Sequence, residues 1–284
     1  MHSHSNFSDG IFSPLELMEL AEKEQLTIFS ITDHDTLEGT EIANENAKNY
    51  SFLYLTGIEI SARYEGLKTE ILGYNLDVTK AKMGDKLIYV QDAREKRILT
   101  ILDKLNSIGL ELTLEDIEKQ IGAGSSPGRP HFARALVEKN YVKSINEAFE
   151  IYLAEGRPGY VRRETFEPTE AIELIHSANG VAVLPHPLLI DIADISELET
   201  YFDTLLSWDL DGIEIYYNYN HVTPRIPQKR LKKGLEMMKK YSRKNDLLVT
   251  GGSDFHGDTG KLGEVFVPTE VTESLLEYFR SKNG

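Results

Sequence analysis

The sequence predicts an α/β protein: an irregular barrel of parallel strands with helices outside, its mouth covered by an all-helical insertion. Three observations point to this. Strand-like apolar runs alternate with amphipathic helical patterns at both ends of the chain, which implies a parallel sheet flanked by helices. Between about residues 76 and 160 only helical patterns occur. Histidines and acidic residues repeatedly follow the last apolar residue of a strand run, and in a barrel such strand ends converge on one functional face. An open doubly wound sheet makes that convergence harder.

The first helix is marked by Ser13-Pro14-Leu15-Glu16, which supplies a cap, a proline at the first helical position and a capping-box glutamate. Leu17, Leu20 and Ala21 continue its apolar stripe. Residues 26–31 read as a buried strand ending on Thr32-Asp33-His34-Asp35. A helix to about Lys48 precedes a strand over 51–58 that ends at Glu59, and 69–74 is a further strand. Residues 85–108 form a long helix with Leu87, Ile98, Ile101, Leu102, Leu105 and Ile108 at helical spacing. Shorter helices follow near 114–120, 130–139 and 144–153, the last opened by a Ser144 and Glu147 capping box. Alternation then resumes: helix 169–178, strand 180–184 ending at His186, helix 195–208, strand 212–217, helix 227–244, and strand 247–250 ending at Asp254 and His256. A capped helix begins near Thr272. The expected domains are a barrel over 1–75 and 161–284 and a helical insertion over 76–160.

Composition narrows the chemistry. A hydrophobic share of 40% and a charged share of 27% are ordinary for a globular protein with a real core. With no cysteine in 284 residues, disulfides and thiolate metal sites are excluded, and any metal must be held by nitrogen and oxygen. Absent cysteine fits a reducing cytoplasm, and no bilayer-spanning run or secretion signal is visible. A net charge of −15 argues against a broad surface for duplex DNA. An anionic substrate would need local positive charge, from metals and a few arginines, to enter.

Five of the eight histidines lie in short motifs dense with acidic residues. Imidazole and carboxylate together hold divalent Zn, Mn or Fe. His2 and His4 are two apart, so an extended segment points both to one side, and Asp9 follows in Ser8-Asp9-Gly10; the chain lacks the histidine run of an expression tag. Asp35 suits a helix N-cap, whereas His34 has no capping role and is the likelier ligand of the pair. Glu59 alone would be an ordinary glutamate, but its place at a strand end beside the other motifs marks it as a ligand. His186 stands between Pro185 and Pro187, which hold the backbone rigid. Asp254 and His256 follow Gly251-Gly252-Ser253, where glycine permits close backbone approach. His176 falls mid-helix and reads as structural. His221, in a tyrosine-rich loop, is a weaker candidate for substrate contact. Gly128-Arg129-Pro130-His131 opens a helix, whose N-terminus attracts phosphate, and Arg129 is a planar bidentate donor. Arg94 and Arg97, one turn apart, are read with it as a cationic clamp.

These motifs, in the order H-S-H-S-x-x-S-D-G, T-D-H-D, G-x-E, L-G-Y, G-R-P-H, H-P and G-S-D-F-H, resemble the PHP (polymerase and histidinol phosphatase) metal-dependent phosphoesterases over nearly the whole chain. The likeness is strongest to the nucleoside 3′,5′-bisphosphate phosphatase group, some of whose members also act as 5′→3′ exoribonucleases. The resemblance implies a distorted (β/α)7 TIM-like barrel and two or three divalent ions (Mn, Fe or Zn). It implies ligands at His2, His4, Asp9, His34, Glu59, His186, Asp254 and His256, with Glu59 bridging two ions. Arg94, Arg97, Arg129 and His131 are the implied substrate contacts. Two departures stand out. Glu70 occupies the place of a usual histidine before the L-G-Y motif; as a ligand it biases its ion toward Mn or Fe over Zn. Relatives also carry a short strand before the first H-x-H, so the first barrel strand is expected to be missing or altered here.

The expected reaction is hydrolysis of a phosphate monoester on a small nucleotide or a short RNA 5′ end by metal-activated hydroxide, with the arginines holding the phosphate in line. His186 and Asp254 are the candidates for protonating the leaving oxygen. Rival readings are cyclic-phosphate or other phosphodiester hydrolysis, histidinol phosphate hydrolysis, and a non-catalytic nucleotide-binding metal domain. An amidohydrolase shares barrel and metals, but the arginines and the lack of a carbamylated-lysine motif argue against it.

Overall fold

A computed structural model of the chain describes residues 1–120, 128–162, 164–219, 226–258 and 260–282, with the backbone alone for 81–86 and 94. It is an α/β protein that divides into two compact units, Met1–Gly84 with Thr165–Gly284, and Asp85–Glu164.

In the first unit, α1 (Pro14–Lys23) starts at the expected capping box: Ser13 Oγ accepts from Glu16 N–H and the Glu16 carboxylate accepts from Ser13 N–H. There follow β1 (Ile28–Phe29), α2 (Glu38–Asn46), β2 (Leu53–Tyr54), β3 (Gly57–Tyr64) and β4 (Leu67–Tyr74). The long α3 (Ala81–Ser107) leads into the second unit, with α4 (Leu114–Glu118), α5 (Arg129–Glu138), α6 (Ile145–Ala148) and a π turn at Phe149–Leu153. The chain returns to the first unit through α7 (Pro168–Ser177), β5 (Val181–Leu184), α8 (Ile195–Leu206), β6 (Gly212–Tyr216), α9 (Gln228–Lys244), β7 (Leu248–Gly251) and α10 (Thr269–Lys282).

The strands form a parallel pair, β1-β2, and a sheet ordered β3-β4-β5-β6-β7. β5, β6 and β7 are mutually parallel, but β3–β4 and β4–β5 are antiparallel, which corrects the expectation of an all-parallel sheet. The reason is local. β3 and β4 are joined only by Glu65 and Gly66, both at positive φ (46° and 91°), the two-residue hairpin turn that matches strand twist. A parallel crossover needs a dozen residues or more. The expected strand over 51–58 is likewise two strands, so Glu59 lies near the start of β3 rather than beyond a strand end.

Isolated parallel bridges add to the sheets: Ser3 pairs with Phe255 and His34 with Glu59. His4 N–H donates to Phe255 O at 2.9 Å and Thr32 N–H to Ser3 O at 2.8 Å, so the first residues run between the segments that follow β1 and β7. Apolar side chains from both sheets and their helices, among them Leu72, Tyr74, Val183 and Phe279, pack beneath this region. Burial of such side chains is the main stabilising term.

The helical unit has its own core, built on Ile101 and Leu105 of α3 with Phe132 and Leu136 of α5. Its expected capping box at Ser144 is only half formed: Ser144 Oγ accepts from Glu147 N–H, but the Glu147 carboxylate takes Lys143 N–H instead. Among the described residues no helix is long and apolar enough to cross a membrane.

Candidate metal centre

The N-terminal loop is held by Asp33. Its buried carboxylate accepts from Ser5 N–H (2.6 Å), Ser5 Oγ–H (2.6 Å) and Ser8 Oγ–H (2.8 Å). Three donors satisfy the buried charge and fold residues 2–9 back over the strands. Gly10 closes that loop so tightly that a Cβ would stand 2.0 Å from His4 O. Asp35 is not the cap expected of it. At φ 56° its carboxylate turns to Ser61 N–H on β3 (2.8 Å), and α2 begins without a side-chain cap.

The loop brings His2 and His4 against side chains from the other strands. His2 Nε2 lies 3.3 Å from both Glu59 Oε2 and Asp254 Oδ1. His4 Nε2 lies 3.3 Å from Glu59 Oε2 and 3.0 Å from Asp254 Oδ1. On the neighbouring side, Asp9 stands 3.2 Å from His256 Nε2, 3.6 Å from His34 Nε2 and 3.7 Å from His4 Nδ1. His34 Nδ1 faces Glu59 Oε2 at 3.2 Å and Glu70 Oε1 at 3.9 Å. His186 Nε2 faces Glu59 Oε1 at 3.2 Å and Glu70 Oε2 at 3.6 Å. Glu59 is thus the common neighbour of four imidazoles.

Three groups have ligand atoms close enough to share an ion: His4, Asp9, His34 and His256; His2, His4, Glu59 and Asp254; and His34, Glu59 and Glu70. The donor set fits divalent metal for a specific reason. His2 Nε2, both ring nitrogens of His4 and His34 Nδ1 are buried without a hydrogen-bond partner, although carboxylate oxygens stand nearby. Buried polar atoms are normally paired; here nitrogens and oxygens converge on common points instead of on each other.

The electrostatics show how strongly the groups interact. Burial opposes protonation of His2 and His4, but surrounding carboxylates outweigh it, raising His2 well above the ordinary histidine value and His4 to about 10. His186 follows the same balance, against Glu59, and rises to about 9. Burial also opposes ionisation of Glu59 and Asp254, yet the imidazoles hold both well below the usual carboxylate range. Glu70 goes the other way: burial and the charge of Glu59 raise it.

Two neighbours escaped the sequence reading. Glu214, fully buried on β6, accepts from His2 Nδ1 through both oxygens (3.2 and 3.3 Å) and from His186 N–H (3.0 Å). Its signal was a charge inside the apolar run Ile213-Glu214-Ile215. Tyr217 donates to Asp254 Oδ2 at 3.1 Å and packs edge-on against His186, ring centres 5.4 Å apart. His186 itself sits at φ 29°, a strained value for a residue with a Cβ.

His176 Nε2 pairs with Asp211 at 2.8 Å, a structural contact. His221 lies outside the described residues, as does the side chain of Arg94. In the helical unit, Arg97 Nε donates to Val161 O at 2.9 Å. Arg129 donates to Leu153 O at 3.2 Å and lies over the rings of Phe149 and Tyr160. His131 Nδ1 accepts from Gly128 N–H at 2.9 Å, closing the first turn of α5.

Residues 1–249 match the PHP domain family. A 5′-3′ exoribonuclease from Haemophilus influenzae is 33% identical over 92% of this chain and 90% of its own. A 3′,5′-nucleoside bisphosphate phosphatase from Chromobacterium violaceum is 26% identical over 92% of this chain and 88% of its own. Among solved structures, a protein from Bifidobacterium adolescentis designated a metal-dependent phosphoesterase aligns with a TM-score of 0.75 at 28% identity, covering 97% of this chain and 94% of that one.

Proposed function

The chain belongs to the PHP domain family, and from that premise we propose that it hydrolyses a phosphate ester of a 3′,5′-bisphosphonucleotide or of a short RNA 5′ end. It is a hydrolase of the metal-dependent phosphoesterase class. The observation that carries the metal-dependent chemistry is the set of buried, unpaired imidazole nitrogens facing Glu59, Asp254 and Asp9; the nucleotide or RNA substrate is supported by the likeness to the exoribonuclease and the bisphosphate phosphatase.

A neutral imidazole offers one lone pair, so each histidine serves one ion. The division we propose is His2 and His4 with Glu59 and Asp254; Asp9, His34 and His256; and Glu59, Glu70 and His186. Glu59 would bridge two of these ions. Two carboxylates, Glu59 and Glu70, against the one imidazole of His186 favour Mn or Fe over Zn there. When bound, the ions supply hydroxide at neutral pH and neutralise charge developing at phosphorus.

The chain's own groups do the rest. Tyr217 fixes Asp254, and Glu214 fixes His2 and the backbone of His186. Of the two candidate proton donors, Asp254 is assigned with His2 and His4 to an ion and accepts from Tyr217, which leaves His186. A lone pair given to an ion cannot also carry that proton, so His186 has one role or the other; comparing the pH–rate profile of His186→Gln with wild type separates them. Arg94, Arg97, Arg129 and His131 are proposed as the substrate's phosphate contacts; this assignment rests on the motif pattern alone. The seven strands and the N-terminal segment are read as a distorted (β/α)7 barrel, supported by the Ser3–Phe255 and His34–Glu59 bridges.

The test is metal analysis of the purified protein followed by phosphate release from a panel: a 3′,5′-bisphosphonucleotide, short RNA, a cyclic phosphate and histidinol phosphate. Turnover confined to histidinol phosphate, or a protein that takes up no divalent ion, would overturn the reading.

A further inference from the structure

α9 is misplaced by the ordinary rules of helix electrostatics. In its 17 residues it carries Lys229, Arg230, Lys232, Lys233, Lys239, Lys240, Arg243 and Lys244 against one acid, Glu236. It contributes +7 to a chain of net charge −15, so all other residues sum to −22. Its first turn has no acidic residue and, after Gln228, carries Lys229 and Arg230, where the helix dipole disfavours cations. Lysines at i, i+3 and i, i+4 repel along the helix by a few tenths of a kcal/mol per pair. All of these cations except Arg230 are exposed, and none of the exposed ones forms an ion pair among the described residues. The apolar side of α9 is already used: Gly234, Met238 and Tyr241 are buried beneath it. A bilayer therefore has no free apolar face to take up. What is left is a basic ridge roughly 25 Å long at 1.5 Å per residue.

A second observation ties the ridge to the metal centre. A cavity of about 390 Å³ is bordered by Tyr216, Tyr217, Lys239 and Phe266. Tyr217 is the residue that donates to Asp254. Lys239 Nζ lies over the Tyr216 ring, 5.6 Å from its centre. Phe266 is 78% exposed, an unusual setting for a phenyl ring. The one carboxylate on this border, Glu264, is engaged by Asn218 Nδ2–H at 2.9 Å and by Lys261 N–H at 3.2 Å. An exposed phenyl ring, with half-buried Tyr216 next to it, beside a track of cations is what unpaired nucleotides require: bases stack on rings while the backbone follows positive charge.

We propose that this groove, running from Tyr217 past Tyr216, Phe266 and Lys239 onto the exposed face of α9, binds single-stranded RNA downstream of the nucleotide held at the metal centre. The proposal deepens the proposed function and rests on it only for where the RNA end goes. It makes an RNA strand, rather than a free bisphosphonucleotide, the substrate the surface is built for. Duplex RNA would present no open base faces to Phe266 and Tyr216.

The test uses metal-loaded protein and an RNA of about twelve nucleotides, long enough for one single-strand site, with a 3′ fluorophore and a phosphorothioate first linkage to block turnover. Fluorescence anisotropy gives Kd across a salt series. In the triple variant Lys232→Ala, Lys233→Ala, Lys239→Ala, Kd should rise at least tenfold at about 0.1 M salt, with the slope of log Kd against log salt reduced by about 2, near 0.7 per lost phosphate contact. Phe266→Ala should weaken binding by roughly tenfold through lost stacking. Turnover of a 3′,5′-bisphosphonucleotide and metal content should stay at wild-type level in both. Wild-type Kd and salt slope in the variants would overturn the proposal. So would equal affinity for duplex and single-stranded RNA, or binding to phosphatidylserine vesicles in place of RNA. If instead the groove variants lose RNA binding but wild type hydrolyses neither RNA nor nucleotide, the groove stands and the proposed reaction fails.

Discussion

Glu214 and His2 form a buried pair in which both carboxylate oxygens lie within 3.3 Å of Nδ1. The bond leaves Nε2 turned toward Glu59 and Asp254. An imidazole that donates Nδ1–H to a carboxylate has its Nε2 lone pair free, and such partners set the tautomer and orientation of metal-binding histidines. Glu214→Gln keeps the size and an acceptor for His186 N–H but lacks the charge that favours this tautomer. Metal affinity, read by competition with a chelating dye, should fall about 10- to 100-fold, the usual cost of such a partner. ¹⁵N spectra of the His2 ring should show mixed tautomers. An unchanged tautomer with unchanged affinity would leave Glu214 with a packing role alone.

Removing ligands or ions should separate function from fold. His4→Ala and Asp254→Ala are each expected to abolish phosphate release while the far-ultraviolet dichroism of the α/β fold is retained; full activity in either would sink the proposed site. Ions that bind only the native state add about 2.7 kcal/mol when present at 100 times their Kd. At roughly 2–4 °C per kcal/mol for a chain of this size class, chelation should lower Tm by roughly 5–10 °C, and added Mn should restore it.

Acidity should act in opposite senses on the metal-free and metal-loaded protein. His4 and His186 have folded-state values raised to about 10 and about 9, above an unfolded value near 6.5. Their contribution to the metal-free fold is therefore complete below pH 6.5 and lost as pH rises through 9 to 10. Glu59 and Asp254, held low, contribute above the ordinary carboxylate value and lose that contribution on acidification. Metal-free protein should thus be most stable near pH 5–6 and weaken toward pH 10. Metal uptake must displace the imidazole protons, so apparent affinity should rise from pH 6 to 9 with proton release in weakly buffered titrations. Flat affinity over that range would contradict the ion-paired cradle.

Most of the side chains that the fold brings together as a candidate centre were legible because they come as dense local motifs: His2 with His4, and Asp254 with His256. The helix starts were legible for a similar reason, since the Ser13–Glu16 cap is a contact over three residues. What failed depended on partners far along the chain. Glu214 is one charge in an apolar strand, and its meaning lies in His2, 212 positions away. Asp35 looked like a cap until Ser61 N–H claimed its carboxylate. The antiparallel β3–β4 hairpin was written in Glu65-Gly66, but the surrounding alternation of strands and helices outweighed that two-residue signal.

Glu70 provides the sharpest test of metal selectivity. It faces His34 at 3.9 Å and His186 at 3.6 Å, and burial with the charge of Glu59 raises its pKa. A carboxylate with that neighbour gains most from a hard cation, which neutralises two acids at once, whereas imidazole suits Zn. Glu70→His replaces one anionic oxygen ligand with a neutral nitrogen and relieves repulsion with Glu59. Loaded from an equimolar mixture of Mn, Fe and Zn, the variant should hold a larger share of Zn, and a smaller share of Mn or Fe, than wild type. Elemental analysis reads the ratio directly. An identical metal ratio in both proteins would mean that Glu70 coordinates nothing, and the third ion would have to be given up.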